Sequence, residues 1–210
     1  MMYISERIIV LASIVWAITT MLIQTATARG VGRKDYSVKA GSVIRGIIFN
    51  FTWAMLPGHK ETMRLHPVKF TIGVLMHIGV FLAIAKVLLL LVSPQMTPFS
   101  PIAFGVILGV AALCGFYLFC RRIFSKELRS MSSPEDYLSI LITIGFLFAA
   151  IAHEFSLMNT GLFLILAAIV FFYMPFGKLK HGWFFFIVRL EYGARLGYRG
   201  TYPAKSGAKE

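Results

Sequence analysis

Charge is what this chain has least of. Asp, Glu, Lys and Arg make up 14% of its 210 residues, where soluble domains carry about 25%. That shortage excludes an ordinary water-soluble domain before any motif is read. Cysteine is nearly absent as well: Cys114 and Cys120 are the two in the chain, six positions apart, and on one helix they face different directions. No C-x-x-C-H motif occurs, so no haem is expected to be attached covalently, and no cysteine cluster exists to hold an iron–sulfur centre. Internal repeats are lacking, and no stretch reads as a soluble basic domain. A nucleic-acid-binding role therefore has nothing to carry it, despite a formal net charge of +12.

Apolar sequence is what the chain has in abundance, at 58% of residues and a mean hydropathy of +0.76. Charge-poor runs of about 20 residues can cross a bilayer core of about 30 Å. Five such runs occur, at about 8–28, 66–92, 98–120, 136–155 and 157–178. The first, IIVLASIVWAITTMLIQTATA, ends in small residues as a signal peptide would. Its apolar run exceeds the usual signal core of about 7–15 residues, so a retained helix is expected. The expected fold is an all-α membrane protein: one domain, 1–210, built as a bundle of five transmembrane helices.

The basic residues give that bundle a direction. Segment 29–69 carries Arg29, Arg33, Lys34, Lys39, Arg45, Lys60, Arg64 and Lys69; segment 121–133 carries Arg121, Arg122, Lys126 and Arg129. The tail from 178 carries seven more, and the three segments together hold nineteen of the twenty-one Lys and Arg. Five spans put all three on one side, and the loops 93–97 and 154–158 have no basic residue. The positive-inside rule then predicts an outside N-terminus and a cytoplasmic C-terminus. Two further stretches, 46–56 and 182–198, are apolar and aromatic but flanked by basic residues, which suits segments lying in the membrane interface. Residues 201–210, TYPAKSGAKE, read as disordered or bound to a partner.

All five histidines, His59, His66, His77, His153 and His181, fall at or near these spans. Ionisable groups inside a membrane are rare and usually functional, although a lone histidine can also serve as packing glue between helices. His66 and His77 are eleven residues apart. On one continuous helix they would share a face to within about 20° and stand about 16 Å apart along the axis. The topology sets His66 and His181 near the inner side, and His77 and His153 toward the outer side. Two pairs at two depths suit bis-histidine ligation of two b-type haems, because a porphyrin supplies four ligands and leaves two axial positions. Zinc, which takes four ligands or three plus water, suits such pairs poorly. Arg64, Lys69, Lys178 and Lys180 are near the inner pair as partners for haem propionates, and Lys86 is the main candidate on the outer side. Pro67 directly follows His66, so the helix starts or bends there, and His59 is an alternative inner ligand.

The stretch MLPGHKETMRLHPVKFTIGVLMHIGVF, with KLKHGWFFFIVRLEYGARLGYRGTYP near the end, resembles the respiratory nitrate reductase gamma-subunit family. It is most similar to relatives in heterodisulfide-reductase-like and sulfite-reduction-linked membrane complexes, over about 40–203. The resemblance implies a dihaem cytochrome b of the cell inner membrane. Such a subunit exchanges electrons between menaquinone, or a similar quinone, and a cytoplasmic iron–sulfur partner within a larger respiratory complex. It implies His66 and His77 as ligands, one per haem, and His181 as the opposing inner ligand. In the nitrate reductase relatives both opposing ligands come from the last span; here the fourth candidate, His153, ends span four.

Lys86 and Glu154 are further candidates. Lys86 lies nine residues after His77, on the opposite helix face and about 13 Å further along. It either snorkels to the outer surface or donates to a quinone oxygen or an outer propionate. Glu154 either accepts a quinol proton or is an exposed loop carboxylate. Arg189, Arg195 and Arg199 suit docking to an acidic partner or to anionic lipid. Two rival functions remain beside the cytochrome: a haem-free membrane anchor of a redox complex, and a small transporter using histidines as a proton relay.

Overall fold

The computed structural model describes residues 3–30, 37–59, 61–93 and 100–203. Most of the expected loop 93–97, and the tail beyond 203, lie outside the described residues. Among those described the chain is helical throughout, with no strand. The helices are α1 (Ile4–Gly30), α2 (Val43–Phe51), α3 (Glu61–Leu65), α4 (Pro67–Val92), α5 (Pro101–Phe124), α6 (Lys126–Ser130), α7 (Pro134–Glu154), α8 (Thr160–Tyr173) and α9 (His181–Tyr198). Single 3₁₀ turns occur at Trp53–Met55, Pro57–His59 and Lys178–Lys180.

Local chemistry sets the boundaries. Proline opens α4, α5 and α7; its missing N–H would be unsatisfied at a helix start in any case, and its φ is already helical. The Asn159 side chain accepts from Leu162 N at 2.8 Å and so caps α8. Ser156, at φ 57°, turns the chain sharply between α7 and α8.

Four helices, α1, α4, α5 and α7, are long and apolar enough to cross a membrane. A fifth crossing results if α8 and α9 are taken as one broken span. Alone, α8 has 14 residues and reaches about 21 Å, short of a bilayer core. The expected run 157–178 is therefore a helix that stops at Tyr173, followed by a turn. Large apolar side chains such as Ile8, Val106, Leu113, Phe148 and Phe172 are exposed along these helices. Outward apolar surface on this scale, covering several helices, is what a lipid solvent requires, and it fits helices long and apolar enough to cross a membrane.

The backbone packs as two units. The first holds the described part of Met1–Thr20 with Val68–Leu179. Its core gathers Val10 of α1, Ala83 and Val87 of α4, Leu108 and Ala111 of α5, Leu147 and Ala150 of α7, and Phe163 and Leu164 of α8. Small residues let the helices approach: a Cβ added to Gly79 of α4 would strike the Ala111 methyl of α5. Close contact of this kind drives helix association in lipid, where water does not. The second unit holds Met21–Pro67 and the chain from Lys180 onward. There α2 lies against α9, and the backbones meet at glycines: a Cβ on Gly46 would collide with the Gly193 carbonyl and the Gly197 Cα. The stretches 46–56 and 182–198, expected in the interface, are thus largely these two helices.

Two ion clusters mark the ends of the first unit. Asp136, at the start of α7, binds Lys178 Nζ at 2.7 Å and Arg122 Nη1 at 3.0 Å. It also accepts from Ser133 N at 2.9 Å. The C-terminal end of α5, the start of α7 and the exit from α8 are therefore together. Lys86, near the C-terminal end of α4, pairs with Glu154, the last residue of α7. Tyr3, just before α1, packs against Gly161 at the start of α8. The successive helices α4, α5, α7 and α8 thus alternate in direction, as five successive spans would.

Candidate functional site

The Lys86–Glu154 pair is the most desolvated charged contact among the described residues, with side chains 9% and 5% exposed. It sits in an apolar shell. The Lys86 ammonium lies 5.4 Å from the centre of the Phe104 ring and 5.9 Å from that of Phe163, within cation–π range. Lys86 reaches this place because it shares the buried face of α4 with Met76, Gly79, Ala83, Val87 and Leu90. It does not snorkel to the surface, and Glu154 is not an exposed loop carboxylate. The physical reason is the pairing itself: each charge offsets the other's desolvation, which neither could bear alone.

His153 completes the cluster. Its half-buried ring stacks on Phe163, centroids 4.9 Å apart, and Nε2 lies 3.1 Å from Thr160 Oγ1. Nδ1 is buried with no hydrogen-bond partner. The imidazole is thus enclosed beside the ion pair, with one unsatisfied polar atom. Such an atom is costly and is the natural landing point for a proton or a hydrogen-bonding ligand.

His77 has the opposite character. It lies on an exposed face of α4, as its nine-residue offset from Lys86 demands. Its Nδ1 is 2.6 Å from the Gly73 carbonyl. A carbonyl can only accept, so Nδ1 carries the proton and Nε2 holds the lone pair. This is the arrangement in which a backbone carbonyl orients a metal-binding imidazole.

The structure therefore does not gather His77 and His153 on one face of α4. His153 adjoins Glu154, whose partner Lys86 is on the buried side, while His77 is on the outward side. The inner candidates lie at chain turns. His66 falls in the break between α3 and α4 and is exposed. It is not on the helix of His77, so the shared-face spacing of eleven residues does not apply. Neither adjustment that would align the depths occurs: α4 does not begin near Lys60, and α7 ends at Glu154. His181 opens α9 and is exposed; Arg64, in the last turn of α3, is exposed too. His59 packs its ring against Trp53, centroids 5.0 Å apart.

The haem fit differs from residue to residue. His77 has the tautomer that an axial ligand needs, is oriented by the Gly73 carbonyl, and lies on an exposed face. His66 and His181 present accessible rings. His153 does not fit in its present setting, because Nε2 is taken by Thr160 and Nδ1 is sealed. Among the described residues, no three His, Cys, Asp or Glu side chains form a group able to hold a metal ion on protein ligands alone.

Two sites escaped the sequence reading. Asp136 with Arg122 and Lys178 was within reach of it, since the topology puts all three at one end. Asn50, buried in the apolar α2, donates to the Arg189 carbonyl at 2.7 Å and accepts from Arg189 Nη1 at 2.8 Å; an asparagine inside GIIFNF was the signal. Comparison with protein-family models, curated proteins and solved structures finds no match to this chain.

Proposed function

We propose that this chain is a b-type cytochrome subunit of the inner membrane, exchanging electrons between a quinone such as menaquinone and a cytoplasmic iron–sulfur partner. The observation that carries the reading is His77: its Nδ1–H is held by the Gly73 carbonyl, which leaves the lone pair on Nε2, and the residue lies on an exposed face of α4. A bound haem would supply a one-electron iron couple there. His66 and His181 are the ligands proposed for an inner haem, with Arg64 as a propionate partner. The ligand proposed opposite His77 is His153, which would have to release Thr160 to serve there. Lys86 and Glu154 take a different part, holding the proton that quinol oxidation must release. The basic segments face the cytoplasm and the iron–sulfur partner.

A second reading, a proton-relay transporter, is favoured by one observation: the Lys86–Glu154–His153 cluster is sealed in apolar surroundings, as a relay group would be. A visible spectrum of the purified protein separates the two. The cytochrome reading expects a reduced b-type α band, about two haems per chain by pyridine haemochrome, and loss of one on His77→Ala. A colourless protein that assembles fully in the membrane refutes it and leaves the relay or a haem-free anchor.

A further inference from the structure

The second unit contains a cavity of about 570 Å³ between α2, α9 and Tyr202. Along α9 it is walled by Phe184, Phe185, Val188 and Tyr192, with His181 at one end. These are helical neighbours on one stripe. Arg189 is its one permanent cation.

The Arg189 guanidinium is fixed in place. Nη1 donates to Asn50 Oδ1 at 2.8 Å, and the group lies 5.4 Å from the centre of the Phe185 ring. Asn50, 3% exposed, is rigid because it also donates to the Arg189 carbonyl. Four cations are paired with carboxylates among the described residues: Arg29 binds Glu191, Arg122 and Lys178 bind Asp136, and Lys86 binds Glu154. Arg189, half-buried, has no carboxylate partner among the described residues. A pre-set guanidinium without a counter-ion, facing an apolar cavity, is complementary to one anionic group joined to an apolar body.

We propose that this cavity binds an anionic phospholipid, its phosphate on Arg189 and its glycerol and upper acyl chains against Phe184, Phe185 and Val188. One guanidinium matches the single charge of a phosphodiester, and the open, aromatic wall matches an acyl chain. The phosphate contact at Arg189 needs only a membrane around the chain, but the cavity shares His181 with the proposed inner haem, so the test separates the two.

The test is native mass spectrometry of the full chain released from nanodiscs of mixed phosphatidylglycerol and phosphatidylcholine. The wild type is expected to retain phosphatidylglycerol preferentially, and Arg189→Gln to lose about fivefold of that preference, the share of one basic residue. Arg189→Lys, which keeps the charge, retains part of it and serves if the glutamine variant fails to fold. Arg45→Gln, exposed on α2 and outside the cavity, leaves it unchanged. Equal preference in Arg189→Gln and wild type, or an equal loss in Arg45→Gln, overturns the site. Displacement of the lipid by excess inorganic phosphate would assign it to the free ion and overturn the lipid. Loss of haem without loss of phosphatidylglycerol in Arg189→Gln would assign the cavity to a haem propionate instead.

Discussion

Replacing Lys86 by methionine removes one half of the buried ion pair and leaves the other half stranded. The size of the effect follows from the surroundings. Both side chains are at least nine-tenths buried, so water screens the pair little. At an effective dielectric of about 20, opposite charges about 4 Å apart attract by about 4 kcal/mol. Each charge also cost several kcal/mol to desolvate. The single variant keeps one desolvation cost and loses the attraction, so it is expected to destabilise the protein by about 3–5 kcal/mol. Glu154→Gln alone leaves the ammonium between two phenyl rings, which recovers part of the loss through cation–π contact. The double variant, Lys86→Met with Glu154→Gln, removes both costs and is expected to fall within about 1 kcal/mol of wild type or above it. Equilibrium unfolding in mixed micelles, by titrating a denaturing detergent against helical circular dichroism, measures all four states of the cycle. A single variant that costs less than about 1 kcal/mol, or a double variant as damaged as the single, refutes the claim that the two charges stabilise each other in a dry site. If the cluster also handles a proton, the stable double variant is still inactive in quinol oxidation, which separates a structural role from a chemical one.

Gly46→Val drives a branched side chain into the Gly193 carbonyl and Gly197 backbone; backbone cannot yield, so α2 is expected to separate from α9 at a cost of at least about 1–3 kcal/mol, read as new protease cleavage within 40–59. Asp136→Asn leaves Arg122 and Lys178 without their carboxylate. Because Lys178 is half exposed, the loss is discounted to about 2 kcal/mol, and salt should shrink the difference; a salt-independent loss would point to the Ser133 hydrogen bonds instead. A reporter fused after Glu210 should be active only as a cytoplasmic one, fluorescent as a green protein and silent as a periplasmic phosphatase; the reverse would overturn the assigned orientation.

How much of this was legible in the sequence depended on whether the feature is axial or rotational. Axial features were legible. Hydropathy found the long helices, Pro67 marked a helix start or bend and proves to be the start of α4, and both apolar interface stretches are largely helical. Rotational features were not. The helix α4 is apolar on every side, so its sequence says that Lys86 and His77 oppose each other without saying which faces the core. The spacing leaves Lys86 either snorkelling to the surface or donating to a ligand; the packing buries it and leaves His77 exposed. The deciding contacts are remote in sequence: Gly79 on Ala111, and Lys86 with Glu154 sixty-eight positions away. Both members of that pair were placed at the same end of the bundle, yet the pair itself needs the packing to be known. The shared face of His66 and His77 failed for a local reason: Pro67 begins the helix, so the arithmetic of one continuous helix has nothing to act on at His66.

The ion pairs bear on the direction of the chain as well as on its stability. A topology argument from basic residues counts charges as though each were free, and pairing could cancel the bias. Here it does not. Lys86 and Glu154 neutralise each other at one end of the first unit, where Tyr3 and Gly161 also meet. At the other end Asp136 takes two cations for one carboxylate, and Arg121 in the last turn of α5 and Lys126 and Arg129 of α6 add further positive charge there. Pairing therefore removes charge from the poor end and leaves the rich end positive. Among the described residues the charge asymmetry survives in the folded state, and the Lys86–Glu154–His153 cluster is the most enclosed polar group at the charge-poor end. Under the proposed cytochrome function, that is the end at which Glu154 would hold a proton leaving a quinol.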